Sequence, residues 1–280
     1  MPELPEVETI RTYLETILPG RPILAVRHLD PRMVKMGSGD YAMIAARLPG
    51  LVIQSMERRG KYLFLRFPAN AWLVVHLGMS GRLVIATKDQ IWANHTHLVL
   101  EFFGGDQLRL VDPRRFGRLG WFEGDRPDQI IALGPEPLGR QFNSRYLKSR
   151  LANRTTAIKS LLLDQMLVAG LGNIYADEAL FKARIHPLIR GQDLGDAAIQ
   201  RLTRAIRAVL REGIQHRGTS FSDYVDALGH QGENQDYLSV YGRTGLPCSR
   251  CGTPIQSVVI HQRTSHFCKR CQLPLDRRED

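Results

Sequence analysis

Part-way along this chain the period of the hydrophobic pattern changes, and any fold must accommodate both regimes. Up to about residue 130, apolar side chains come in short runs rich in Val, Leu, Ile and aromatics, cut by Gly, Pro and Asp. Beyond it they recur every three to four residues, as on helices. Segments 22–29, 51–58, 62–67, 72–77, 82–85, 97–103, 107–111 and 118–122 read as strands, with a short helix over 40–48. Strands at this spacing predict a two-sheet sandwich or flattened barrel. The stripe Val7, Ile10, Leu14, Ile17 and Leu18 predicts an opening helix that Pro19-Gly20 stops.

Residues 130–137 read as a linker, and helices are expected over 144–153, 157–164, 173–183 and 193–213. Residues 219–237 are polar and weakly patterned, so a mobile loop is expected there, and all four cysteines follow residue 242. The expected class is α+β, with an amino-terminal helix and β-sandwich domain over 1–130 and a linker over 131–137. A helical domain over 138–241 and a cysteine module over 242–280 complete the expected chain.

Lys and Arg number 38 against 28 Asp and Glu, a net charge of +10. That excess attracts polyanions; nucleic acid, an anionic membrane and an acidic protein stay open on charge alone. No apolar run reaches the ~18–20 residues of a membrane span. The opening Met1-Pro-Glu-Leu-Pro-Glu is acidic and unlike a signal peptide. A cytoplasmic protein is therefore expected, in a reducing compartment where the cysteines stay unpaired.

Cys248-Ser-Arg-Cys251 and Cys268-Lys-Arg-Cys271 are two C-x-x-C knuckles sixteen residues apart. Such pairs bring four thiolates round one structural Zn²⁺, with a hairpin over 255–266 between them. A redox pair or four free thiols are the alternatives. His261 and His266 are left out, since four cysteines close the shell. Arg263 lies between the hairpin strands as either a contact to phosphate or base or an ordinary solvated arginine. Gly170-Leu-Gly-Asn173 places two glycines before a helix, with Asn173 expected at the cap. This is an anion site or a tight turn between packed helices, and Lys159 on the preceding helix is equally open.

Proline at position 2 normally permits removal of Met1, which exposes a secondary amine. An α-amino group titrates near about 7.7–8.0, so part of it is neutral and nucleophilic near neutral pH. Glu3 beside it could move protons, and Glu6 lies one turn further on the same face. Pro and Glu also suit a first helical turn for capping reasons alone.

The start Pro2-Glu-Leu-Pro-Glu-Val-Glu-Thr9 resembles that of bacterial formamidopyrimidine-DNA glycosylases, also called 8-oxoguanine DNA glycosylases. Arg58-Arg-Gly-Lys61-Tyr62, His76-Leu-Gly-Met79-Ser-Gly81, Asp112-Pro-Arg-Arg-Phe-Gly117, Gly170-Leu-Gly-Asn173-Ile-Tyr-Ala176, Tyr241-Gly-Arg243 and the cysteine ribbon follow in family order. The resemblance implies an amino-terminal β-sandwich, a helical domain with a helix–two-turns–helix motif and a zinc finger. It implies a bifunctional glycosylase and AP lyase of base excision repair, acting as a monomer on double-stranded DNA with oxidised purines or abasic sites. No obligate protein partner and no membrane are expected.

By the same resemblance Pro2 is the nucleophile, Glu3 the acid/base and Lys61 a catalytic lysine that holds a phosphate near the lesion. His76, Asn173, Tyr241 and Arg263 match residues that grip the DNA backbone, and Lys159 matches a lysine near the lesion pocket. Met79, Arg114 and Phe116 resemble three side chains inserted where the damaged base leaves the helix; on residue type alone, Met79 and Phe116 read as core. Ser80 stands where some members carry a glutamate near the base pocket. The rival readings are an endonuclease VIII-like glycosylase for oxidised pyrimidines, whose members usually begin Pro-Glu-Gly-Pro where this chain has Leu4, and a non-catalytic zinc-ribbon DNA-binding protein.

Overall fold

The computed structural model describes residues 1–127 and 132–273. Residues 130 and 131 of the expected linker, and 274–280 of the expected cysteine module, lie outside the described residues. The chain divides into two compact units, Met1–Ile131 with Gly213–Gln235, and Ala132–Glu212 with Asp236–Asp280.

The first unit opens with α1 (Leu4–Ile17), whose stripe of Val7, Ile10 and Leu14 is fully buried. Strands β1 (Ile23–Leu29), β7 (Thr96–Phe102), β8 (Asp106–Val111) and β6 (Arg82–Thr87) form one antiparallel sheet, in the order β1-β7-β8-β6. The second sheet runs β2 (Val34–Gly37), β9 (Arg118–Glu123), β5 (Ala71–His76), β4 (Tyr62–Phe67), β3 (Ser55–Arg59). Helix α2 (Tyr41–Arg47) follows β2. Alternate residues of both sheets, among them Leu98, Leu100, Leu63, Leu65, Leu73 and Val75, share one core with α1. Each fully buried side chain of this kind contributes about 1.5–3 kcal/mol. The sandwich is thus held by α1 as well as by its two sheets. Strand β2 escaped the sequence reading, because four residues that pair parallel with β9 carry too short a pattern.

Residues 213–235 belong with this unit by contact. The segment expected to be a mobile loop is closed on itself by hydrogen bonds. Asn234 Nδ2 donates to Thr219 Oγ1 at 2.9 Å, Gly232 N to Ser220 Oγ at 2.9 Å, and Ser220 Oγ to Tyr224 O at 2.8 Å. Tyr224 and Ala227 enter the sandwich core, and Ile85 N of β6 donates to Ala227 O at 2.8 Å. Polar composition hid this, because two apolar side chains suffice to anchor a turn-rich segment whose other groups bond one another.

The second unit contains α3 (Ser144–Leu151), α4 (Ile158–Leu163), α5 (Asn173–Ala183) and most of α6 (Asp196–Gln215), then the hairpin β10 (Gln256–Ile260) and β11 (Arg263–Phe267). The hairpin turns through His261 and Gln262, both at positive φ. Its knuckles dock on the end of α5. Gln272 Nε2 donates to Ile185 O at 2.8 Å, and the Arg250 guanidinium lies over the Phe181 ring while bonding Phe181 O at 2.8 Å.

Candidate functional site

In the first unit, Pro2 is buried and Glu3, 1 % exposed, caps α1 in an extended conformation. A capping box ties the start together: the Glu3 carboxylate accepts the Glu6 N–H, and Glu3 N donates to Glu6 Oε2 at 2.7 Å. The other Glu6 oxygen accepts Thr219 N at 2.8 Å. Glu6 therefore joins the chain start to the 213–235 segment. Gly218 lets this happen: at φ +82 its place has no room for a Cβ, which would lie 2.9 Å from Glu6 Cγ.

Lys61, 7 % exposed, sits in the two-residue turn between β3 and β4. Arg58 Nε of that hairpin donates to Glu8 Oε2 of α1 at 2.6 Å, so the lysine turn and the helix carrying Pro2 are fixed to each other. His76 pairs with Tyr62 across β5 and β4, with rings 4.6 Å apart. Burial first, then the charges of Arg118 and Lys61, bring its pKa down to about 3. His76 is neutral near pH 7, and because Nδ1 accepts Gly78 N at 3.0 Å, the ring proton resides on Nε2.

Two loops meet beyond His76. Gly78 packs so close to the 112–117 turn that a Cβ there would lie 2.4 Å from the Phe116 carbonyl carbon. Asp112, fully buried, accepts from Ser80 Oγ at 2.5 Å, Arg114 N at 3.3 Å and Gly117 N at 2.7 Å. Ser80 is thus spoken for by Asp112 and is itself 1 % exposed. Arg114 and Phe116 are exposed, with the guanidinium 4.7 Å from the ring centroid, and Met79 is half-buried. Phe116 is therefore no core residue.

In the second unit the start of α5 is the organising feature. Asn173 was expected to cap this helix; Gly172, in extended conformation, takes that position instead. The Asn173 side chain turns to the hairpin, where Nδ2 donates to Thr264 O at 2.9 Å. Lys159, which the resemblance matches to a lysine near the lesion pocket, has a side chain 1 % exposed, and its Nζ donates to Asp177 Oδ1 at 2.6 Å and Asn173 O at 2.8 Å. A buried carboxylate has captured it. The second Asp177 oxygen accepts His266 N at 2.9 Å and lies 3.1 Å from His266 Nδ1. Beside it Glu178 accepts the N–H groups of Ser239, Val240 and Tyr241 at 2.8–2.9 Å. Burial pushes the Glu178 pKa up, while those three donors favour the carboxylate. Asp177 and Glu178 went unread in the sequence; their signal was two adjacent acids among the apolar residues of the middle of a helix. Tyr241 is half-buried against the His266 ring, and Arg263, first residue of β11, is exposed.

Models of known families match the chain in three consecutive segments: the formamidopyrimidine-DNA glycosylase N-terminal domain over residues 1–119, the formamidopyrimidine-DNA glycosylase H2TH domain over 133–225, and a zinc finger found in FPG and IleRS over 245–273. This chain belongs to the formamidopyrimidine-DNA glycosylase family. The family protein of Herpetosiphon aurantiacus is 46% identical over 97% of this chain and 100% of its own, and that of Symbiobacterium thermophilum 47% over 97% and 89%. A Lactococcus lactis family member, solved as a point mutant with DNA containing Fapy-dG, superimposes with a TM-score of 0.90 at 38% identity over 98% of this chain and 100% of that one.

The family's zinc-finger segment can be tested on this chain's own geometry. The four sulfurs of Cys248, Cys251, Cys268 and Cys271 lie within 4.8 Å of one another, with Cys251–Cys268 at 3.5 Å and Cys248–Cys271 at 3.9 Å. A tetrahedron with metal–sulfur bonds of ~2.3 Å has edges of about 3.8 Å. The donor set and its spacing fit zinc.

Proposed function

We propose that this family member excises oxidised purines, 8-oxoguanine and formamidopyrimidines, from duplex DNA through a Schiff base on Pro2, and then cuts the strand as an AP lyase. The observation that carries the reading is the buried Pro2–Glu3 pair fixed at the head of α1 by the capping box. Solved relatives hold DNA with Fapy-dG or with an abasic site, which supports the same partner here.

Once Met1 is removed, the Pro2 nitrogen attacks C1′ of the deoxyribose and gives up its proton to Glu3, while the base leaves with the electron pair of the glycosidic bond and takes a proton from water. Glu3 gives a proton to O4′ as the ring opens, leaving an iminium between Pro2 and C1′. The iminium acidifies C2′–H, and its loss expels the 3′ phosphate. Loss of C4′–H then expels the 5′ phosphate, and water releases the amine. A one-nucleotide gap with phosphate at both ends remains.

Lys61 balances phosphate charge near the lesion, and His76 donates Nε2–H to the backbone. Asn173, Tyr241 and Arg263 form the second set of backbone contacts. Lys159 acts through the Asn173 carbonyl as a positioning residue. Met79, Arg114 and Phe116 fill the stack left by the flipped nucleotide, which offsets an unstacking cost of a few kcal/mol. One structural Zn²⁺ held by Cys248, Cys251, Cys268 and Cys271 would cross-link the knuckles and fix the hairpin that carries Arg263. A thiolate site of this kind suits a reducing compartment, which supports a cytoplasmic assignment. The functional division we propose is 1–130, a linker 131–137, 138–241 and 242–280; three consecutive family segments support a division into three parts.

Borohydride reduction in the presence of an 8-oxoguanine:cytosine duplex is expected to trap a covalent protein–DNA adduct, faster than on a thymine-glycol duplex. Protein whose Pro2 nitrogen has been acylated should form none. An acylated sample that still traps and cuts overturns the nucleophile. A reversed lesion preference instead favours the pyrimidine-specific reading.

A further inference from the structure

We propose that His97 is a positioning residue that sets the Arg114–Phe116 turn for entry into the DNA stack. The inference rests on the reading of Arg114 and Phe116 as the inserted side chains. His97, near the start of β7, is 3 % exposed. Its Nδ1 lies 3.0 Å from Asp30 Oδ2 and its Nε2 lies 3.0 Å from the main-chain oxygen of Asp112. Both ring nitrogens are therefore engaged, and the ring links the Asp30 carboxylate to the main chain of Asp112.

The two ends of this bridge differ in what they hold. Asp30 is anchored by Arg32, which donates from Nε and the terminal guanidinium nitrogen at 2.9 Å each and from its backbone at 3.0 Å. The Arg32 side-chain hydrogen bonds hold the Asp30 carboxyl far below the usual carboxylate range. Asp112 is the movable end. Its carbonyl is gripped by His97, and its carboxylate grips Ser80, Arg114 N and Gly117 N. Lys35 Nζ closes the turn from the other side, donating to Arg115 O at 3.0 Å and Gly117 O at 3.3 Å. Among the described residues, the charged groups bonded to His97, to Asp30 or to the turn include Arg32, Asp112 and Lys35, with Arg114 and Arg115 on the turn itself.

A rotation of the Asp112 peptide would swing its carboxylate and carry the Arg114 and Gly117 amides with it. His97 opposes that rotation from inside the sandwich. The turn includes Arg115 at φ +52, so it needs such a clamp to keep a residue with a Cβ in a left-handed conformation. A bridge serving stability alone would not have to end on the main chain of the residue that clamps Arg114.

Single-turnover excision of 8-oxoguanine opposite cytosine and opposite adenine tests the proposal, using His97→Gln, Arg114→Ala and the double variant. Lyase activity on a single-stranded abasic oligonucleotide, which has no partner base to probe, runs alongside. His97→Gln should slow duplex excision on the order of tenfold to a hundredfold, the cost of a displacement near 1 Å. It should also narrow the cytosine-to-adenine ratio and leave the single-stranded reaction unchanged. The double variant should be no slower than Arg114→Ala. Losses that add, an unchanged duplex rate, or an equal fall on single-stranded substrate overturn the proposal. An Arg114→Ala protein with full duplex activity instead overturns the insertion reading. If His97→Gln does not fold, Asp30→Ala, which frees the other end of the bridge, is put through the same measurements and the same outcomes decide.

Discussion

His76 sits where burial and two neighbouring cations act in the same direction. With its pKa down to about 3 against an ordinary 6.5, the folded protein binds fewer protons than the unfolded chain between those values. Stability from this residue is therefore fully present above pH 6.5 and is lost as the pH falls toward 3. Thermal melts from pH 7 to 4 should show a smaller loss of Tm for His76→Gln than for the unaltered protein. The same neutrality means that its contact with phosphate is made through an N–H dipole rather than a charge. The sequence showed a histidine in a family motif; the missing charge follows from its burial, and then from Arg118 and Lys61 lying beside it in the fold.

At the scale of elements, α5 ties several segments of the second unit together through polar contacts. From its first turns, Asn173 bonds Thr264, Asp177 joins Lys159 to His266, and Glu178 gathers three backbone donors of residues 239–241. One helix thereby fixes both the hairpin behind Arg263 and the segment that ends at Tyr241. Removing one partner of a buried ion pair leaves the other uncompensated. Lys159→Met should accordingly destabilise the protein by about 3–5 kcal/mol, read from urea unfolding. A loss of activity without that loss of stability would return Lys159 to a direct role at the lesion. Helix α5 was legible from its period and its preceding glycines. Its cap was not: Asn is a favoured cap residue, but Gly172 already takes the extended conformation and the hairpin offers Asn173 another acceptor.

For the whole molecule, a net charge of +10 makes association with a polyanion depend on salt. Lys61 and Arg263, one in each compact unit, are the cations proposed to meet phosphate. Replacing Arg263 with alanine should reduce the slope of log K against log salt by about one and weaken binding to damaged and undamaged duplex alike. A slope unchanged by the substitution removes Arg263 from the backbone contacts. The change of period near residue 130, the opening amphipathic helix and the paired cysteine knuckles are local in the chain, so order and spacing alone indicated the α+β class, the strands of the two sheets other than β2, and the cluster of four cysteines. The sequence could not place residues 213–235 with the first unit, bury Lys159 against Asp177, or bring Asp30, His97 and Asp112 into one bridge. Those outcomes depend on groups 14 to 218 positions apart meeting in space, as Tyr224 meets Glu6 and Lys159 meets Asn173. Burial then decides which polar groups must find each other, and only the folded chain fixes which ones are buried together.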